Sequence, residues 1–471
     1  MEFFRRSLLY RLPENERSSL PAAWRVPVGQ SHSTAAFVSA IESEISAIDQ
    51  GIEDVWRAQV SGADDCRPSL VVDPMDLRLE ASIGYGETDS TAVLKLALGT
   101  VLAFDDLTLL ALTDPQVLAP SRGALRLLAT RPDGNWLGVV GAYQDFDQRY
   151  ADYSNVLSGP EIDMGALTHS LPSTPWRLLQ ASLLSELMIA FALLHERVHF
   201  GLCHLDLLTA AELSPSGPIR MSETSGETVN PDLPVGTRRV LELQADFQAY
   251  LLLCEYALAP EGPCARYSAQ MDDLDLPLDD AILSSMDFPS SIRVCLTAAS
   301  LACLAFMAAK PARSVKDPTH PHPHLRLMSM VIGTPILSPL VGGDEPGAFS
   351  LFTRDCIDED GMESEDFLDL TVQILGLALG DLHLASSTLG YPFSPARRST
   401  KRQSWTAAPW IKDLRCFWIS DDVSAHRAPT TQMAKELQFL LSVQASLEGP
   451  LRALQRKRFG AELCVHVDAG R

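Results

Sequence analysis

No two cysteines in this chain stand at CxxC spacing, and the nine that occur are odd in number and widely scattered. A secreted, disulfide-stapled scaffold usually shows an even set at close spacing, and a thiolate zinc knuckle needs clustered pairs. Reduced, mostly buried thiols in a cytoplasm are therefore expected. Long apolar runs are scarce as well. After Arg5 and Arg6 the N-terminal run is only Leu8, Leu9 and Tyr10, short of the roughly seven apolar residues of a signal peptide. The strongest run, 294–309, contains Thr297 and Ser300 and falls short of the ~18–20 residues that span a bilayer. It reads as a buried helix, so no stable membrane insertion is expected.

Positive charge is also in deficit. Thirty-eight Lys and Arg face 60 Asp and Glu, a net charge of −22. Such a surface repels phosphate backbones, which argues against a nucleic-acid partner. The basic clusters at Arg397, Arg398, Lys401 and Arg402, and at Arg456, Lys457 and Arg458, are short and read as solvated patches. The segment GYGETDS (84–90) lacks the Gly-Lys-Ser/Thr ending of a phosphate-binding loop and reads as a loop. In DEDGMESEDF the calcium-loop register would put Cys356 and Phe367 at ligand positions, which neither can fill. No internal repeat is visible.

What the chain does have is core-forming capacity: 46% hydrophobic and 21% charged residues, ordinary values for a globular protein. The pattern divides into 1–120, mixed, with a helix expected over 36–55; 121–340; and 341–471, mostly helices and linkers. Residues 125–143 read as two strands around a Pro-Asp-Gly turn. A long helix is expected from Thr174 as N-cap and Pro175 as first residue to a stop at Gly201. Its apolar positions recur at Leu179, Leu183, Leu187, Phe191 and Leu194. Residues 211–236 read as a loop, 237–258 as a second helix and 291–310 as a third.

Inside the first helix stands His195-Glu196-Arg197-Val198-His199, an HExxH motif. Histidines four apart share one helical face and can reach one zinc ion, while the glutamate between them can take a proton from an attacking water. Chance alone yields such a motif on the order of once in a hundred chains, so its surroundings decide. The preceding LLSELMIAFALL supplies the apolar face of a packed helix.

A zinc peptidase needs a third protein ligand. The pattern HExxHxxGxxH fails, because positions 202 and 205 are both Leu. His204, just past the helix stop, reads as a loop histidine and a weak ligand candidate. Glu242 and Asp246 lie four apart in VLELQADFQAYLLL, and burying two carboxylates is costly unless they are paired or bound to metal. Glu242 suits the metal and Asp246 suits a ligand histidine. Taken alone, the same pair is equally an exposed acidic stripe. Finally, THPHPHLR (319–326) is either a metal-binding or a polar loop, held extended by its prolines.

In combination and in this order, HExxH, ExxAD and THPxxxxR resemble the gluzincin peptidases of the HtpX, Oma and CAAX-prenyl-protease type, in patches over 170–340. The resemblance implies a predominantly helical α+β fold with a zincin-like core. It implies Zn2+ held by His195, His199 and Glu242, and Glu196 as general base. Asp246 would stand behind the ligands, His320 would hold substrate or stabilise the oxyanion, and Arg326 would brace the site. Hydrolysis of a protein or peptide substrate follows. Many of those relatives are membrane-embedded, and HPH replaces the HPP common among them. A soluble peptidase of the Lit phage-exclusion type is a looser comparison, bearing on role alone. Two other readings stand beside it: a non-catalytic, zinc-stabilised interaction protein, and a triggered protease effector of a defence or toxin type.

Overall fold

The computed structural model describes residues 6–10, 33–59, 68–85, 92–113, 117–118, 146–160, 175–211, 220–222, 234–273, 288–309, 321, 325–327, 329–330 and 432–459. Within them the chain is mostly helical with one small sheet. The helices are α1 (Arg6–Leu9), α2 (Thr34–Gln59), α3 (Leu98–Ala111), α4 (Phe146–Leu157), α5 (Pro175–Gly201), α6 (His204–Ala211), α7 (Thr237–Leu258), α8 (Pro263–Asp273), α9 (Phe288–Ala309) and α10 (Gln432–Phe459). The strands are β1 (Ser69–Asp73), β2 (Ala81–Tyr85), β3 (Ala92–Ala97) and β4 (Arg220–Ser222).

Helix α5 is the hub. From Arg177 to Phe200 every one of its residues except the glycine that follows is a buried side chain, and that glycine is buried too. A helix apolar on all sides belongs in the middle of a fold. Helices α2, α3, α7, α8 and α9 pack around it, with strands β2 and β3 against a further side. Several of the polar groups caught on α5 are paired. Arg177 donates to the carbonyls of Leu112 (3.3 Å) and Val117 (2.8 Å) and to Gln180 (2.5 Å). Ser185 donates to Asp105, while Glu186 accepts from Tyr256 (2.8 Å) and from Arg266. Buried polar groups demand such partners.

The sheet order is β1-β3-β2-β4. Strand β3 runs parallel to β1, with Leu94 opposite Leu70, and antiparallel to β2, with Leu94 opposite Ile83. In β3, Ala92, Leu94 and Leu96 are buried while Val93 and Lys95 are half-buried. That alternation marks one face turned to α5. On the other face Lys95 meets Asp73 (3.1 Å) and Asp76 (2.9 Å).

Several expectations are corrected. Residues 220–222 are not loop: they form β4, paired antiparallel with β2, Ile83 opposite Met221. Gly84 and Tyr85 end β2 rather than lying in a loop. Among the described residues, Trp176–Gly201 is the helix long and apolar enough to cross a bilayer, with its most apolar stretch entirely inside the fold; 290–306 is a shorter apolar helix. Arg458 is no free surface charge, since it pairs with Asp206 (2.7 Å) and lies over the Tyr85 and Phe200 rings. The hairpin over 125–143, the N-cap Thr174 and the loop and basic stretch between 341 and 402 lie outside the described residues.

A single hydrophobic cluster includes Leu8, Leu102, Leu187, Leu253 and Leu451. Residues from 1–120 and 341–471 thus share the core that holds the HExxH helix. Helix α2 does so through charge as well. Arg197, buried within the motif, donates to Asp49 (2.6 Å) and Glu53 (2.5 Å). This pins the rotation of α5 about its axis and turns the two histidines toward α7.

Candidate metal centre

His195 and His199 lie one helical turn apart on α5, and Glu242 faces them from α7. One atom from each of these three buried residues lies within 4.8 Å of the others. The Nε2 atoms of the two histidines are 2.9 Å apart. Oε2 of Glu242 stands 3.3 Å from Nε2 of His195 and 3.8 Å from that of His199. An ion with tetrahedral bonds of 2.0–2.1 Å sets its ligand atoms about 3.3 Å apart, and the three separations straddle that edge. Oε2 of Glu242 is buried with no hydrogen-bond partner of good geometry, an arrangement that is costly unless a cation compensates it. The group therefore fits a metal ion.

Electrostatics agree with the donor set. Burial pushes the Glu242 carboxyl up, but the His195 and His199 imidazoles beside it outweigh burial and hold it well below the ordinary glutamate value. It is an anion, as a ligand must be.

Behind His195 stands a second layer. Its Nδ1 is 3.1 Å from Oδ1 of Asp246, one turn beyond Glu242 on α7. Arg326 clamps Asp246 with two donors, Nε to Oδ2 (2.7 Å) and a terminal nitrogen to Oδ1 (2.6 Å). Cys303 of α9 approaches Oδ1 at 3.9 Å. Burial raises the Asp246 carboxyl; Arg326 and His195 more than offset it, so the net shift is downward. An aspartate against Nδ1 favours the proton there and leaves the Nε2 lone pair for a metal.

His204 departs from expectation. It is not a loop residue: it opens α6 and is fully buried. Gly201 ends α5, and Cys203 takes a left-handed conformation with φ of 58°, rare for a residue with a Cβ. That reversal folds His204 back so that its Nδ1 lies 2.8 Å from Nδ1 of His199. Its other nitrogen, Nε2, lies 3.2 Å from Oε1 of Gln244 on α7. Burial, with His199 beside it, holds His204 well below the ordinary histidine value, so it is neutral. It sits behind His199 and not among the three grouped donors, His195, His199 and Glu242. Gln244 and the buried partners of Arg197 had no sequence signal of their own. Arg197, charged within a largely apolar helix, is the one signal from which acidic partners follow.

Glu196 is 1% exposed within the same helix. His320 lies outside the described residues. Its neighbour Pro321 is buried, as are Leu325 and Arg326. A cavity of about 230 Å³ opens between α7 and α10, lined by Val240, Leu243, Gln244, Phe247, Leu437 and Leu440 among others, and by none of the three grouped donors. Gln244 is thus shared between this cavity and the layer behind His199.

No protein family, no characterised protein and no solved structure matches the chain.

Proposed function

We propose that the chain is a zinc-dependent peptidase with a zincin-like core, in which His195, His199 and Glu242 hold the metal. The reading is carried by one observation: three buried donors of the His, His, carboxylate type converge from two helices, with ligand separations suited to zinc. Two imidazoles and one carboxylate with an open position form a donor set of catalytic zinc sites, whereas structural sites close with four protein ligands.

A zinc ion bound there would polarise a scissile carbonyl and acidify water. The chain's own groups supply the rest. Asp246 and His204 orient the two imidazoles. Glu196, next to His195 on α5, is the general base that takes a proton from the attacking water and passes it to the leaving amine. Arg326 keeps Asp246 ionised and in place. His320 is proposed to hold the substrate or steady the oxyanion. A protein or peptide is the substrate class, and the mainly apolar cavity beside Gln244 suits an apolar side chain of such a substrate.

A second reading draws on burial. His195, Glu196, His199 and Glu242 are each only 1–2% exposed, as in a metal site whose task is to join α5 to α7. The chain would then be a zinc-stabilised interaction protein.

Elemental analysis separates the outcomes. About one zinc per chain is expected in the wild type, and none in the His195→Ala, His199→Ala double variant. No metal in the wild type after reconstitution sinks both readings. With zinc established, Glu196→Gln is expected to keep the metal and to lower peptide hydrolysis by about 10²–10⁴-fold, the usual worth of a general base. Zinc without hydrolysis in the wild type leaves the interaction reading.

A further inference from the structure

We infer that His204 and Gln244 form a directional hydrogen-bond relay that sets the tautomer of His199 for metal binding. The inference rests on the metal reading above and assigns a positioning role to two residues outside the ligand set and outside the motif resemblance.

Proton placement on the two rings decides whether His199 can bind metal. A histidine can offer Nε2 to a metal only if that nitrogen carries a lone pair, and a neutral ring then carries its proton on Nδ1. His199 Nδ1 faces His204 Nδ1 at 2.8 Å. Two Nδ1 atoms at that distance share one proton: one ring donates and the other accepts. If His199 donates, its Nε2 is free for metal. If His204 donates, the proton of His199 sits on Nε2 and blocks the site.

Gln244 decides between the two. A neutral His204 that accepts at Nδ1 must carry its own proton on Nε2, and that nitrogen is 3.2 Å from the Gln244 carbonyl oxygen Oε1, an acceptor. The chain then runs in one direction: His199 Nδ1–H to His204 Nδ1, and His204 Nε2–H to Gln244 Oε1. Along this chain each acceptor meets a donor. Burial leaves no bulk water to substitute for either partner, since His204 is 0% exposed. On the other side Asp246 performs the equivalent service for His195 with a carboxylate. The centre thus orients one ligand by a charged partner and the other by a neutral relay. The left-handed Cys203 is the backbone feature that brings His204 within reach.

The test uses the full-length protein and two variants at Gln244, which is half-buried on α7. Gln244→Glu keeps an acceptor facing His204 and is expected to bind zinc at least as tightly as the wild type. Gln244→Met removes the acceptor at similar volume and is expected to weaken zinc about 10-fold or more, the usual scale for groups behind a ligand histidine. Affinities are read by competition with a chromophoric chelator, and the melting of the metal-free proteins checks folding. Because a new negative charge alone could tighten zinc, a second readout is needed. Nitrogen NMR of the zinc-loaded, histidine-labelled wild type should show His204 as a neutral Nε2–H tautomer, its signal identified by loss in His204→Asn. Zinc binding with His204 protonated on Nδ1, or with Gln244→Met as tight as wild type, overturns the relay and leaves the metal reading intact. A wild type that binds no zinc overturns both.

Discussion

Asp246 holds two partners at once, the Nδ1 side of His195 and the guanidinium of Arg326, and all three are buried. Removing its charge leaves Arg326 without its counter-ion, which costs about 3–5 kcal/mol when a buried pair is broken. Asp246→Asn is therefore expected to lower the unfolding free energy by that order and to weaken metal about 10–100-fold, measured by denaturant unfolding and chelator competition. The pH dependence has a definite sign. The folded carboxyl titrates below the ordinary 3.8, so its contribution is complete above about pH 4 and is lost as pH falls through the folded value. The gap between wild type and Asp246→Asn should hold constant at neutral pH and narrow only below pH 4. A gap that widens on acidification contradicts the assignment. At this scale the sequence was informative where residues four apart share a face, as Glu242 and Asp246 do. It misplaced His204 as a loop histidine, because its position depends on a left-handed Cys203 that no residue-type rule anticipates.

The helix α5 was legible as an element because its periodic apolar residues begin at Pro175 and stop at Gly201. What encloses it was only partly legible. The sheet against it comes from 69–97 and the three-residue β4, and a strand that short carries no periodic signal. Nor could spacing reveal that the acidic residues of α2 face inward. Asp49 and Glu53 lie one turn apart and are 5% and 3% exposed, because they receive Arg197 from the motif itself. This pairing acts on the orientation of α5 rather than on the metal. Arg197→Met takes the buried guanidinium from Asp49 and leaves Glu53 with the half-exposed Arg57 (3.1 Å), and is expected to destabilise by about 3–5 kcal/mol. Because Val198 and the two histidines keep their own contacts, the folded fraction should still bind one zinc. Folded Arg197→Met protein with no zinc would show instead that the ion pair is part of the centre.

Across the whole molecule, the metal centre lies where α5 and α7 meet, and α5 is also the helix on which α2, α3, α8, α9 and the sheet converge. An ion bridging His195, His199 and Glu242 ties the hub to the helix that carries Asp246 and supports α10, which is itself joined to α7 through Arg239 and Glu436 (2.7 Å). A ligand that binds the folded state alone stabilises it by mass action, about 2.7 kcal/mol at a hundredfold excess over its dissociation constant. Because one hydrophobic cluster joins elements from Leu8 to Leu451, that gain should be felt by the core as a unit and not by one loop. Stripping zinc with a chelator is thus expected to move the main denaturant midpoint of the wild type downward. The His195→Ala, His199→Ala variant should show the lower midpoint already and ignore the chelator. A chelator shift that persists in the double variant would place the stabilising metal elsewhere in the chain. A wild type that holds zinc yet unfolds at the same midpoint without it would mean that binding leaves the α5–α7 junction energetically unchanged, against the geometry that brings the three ligands together.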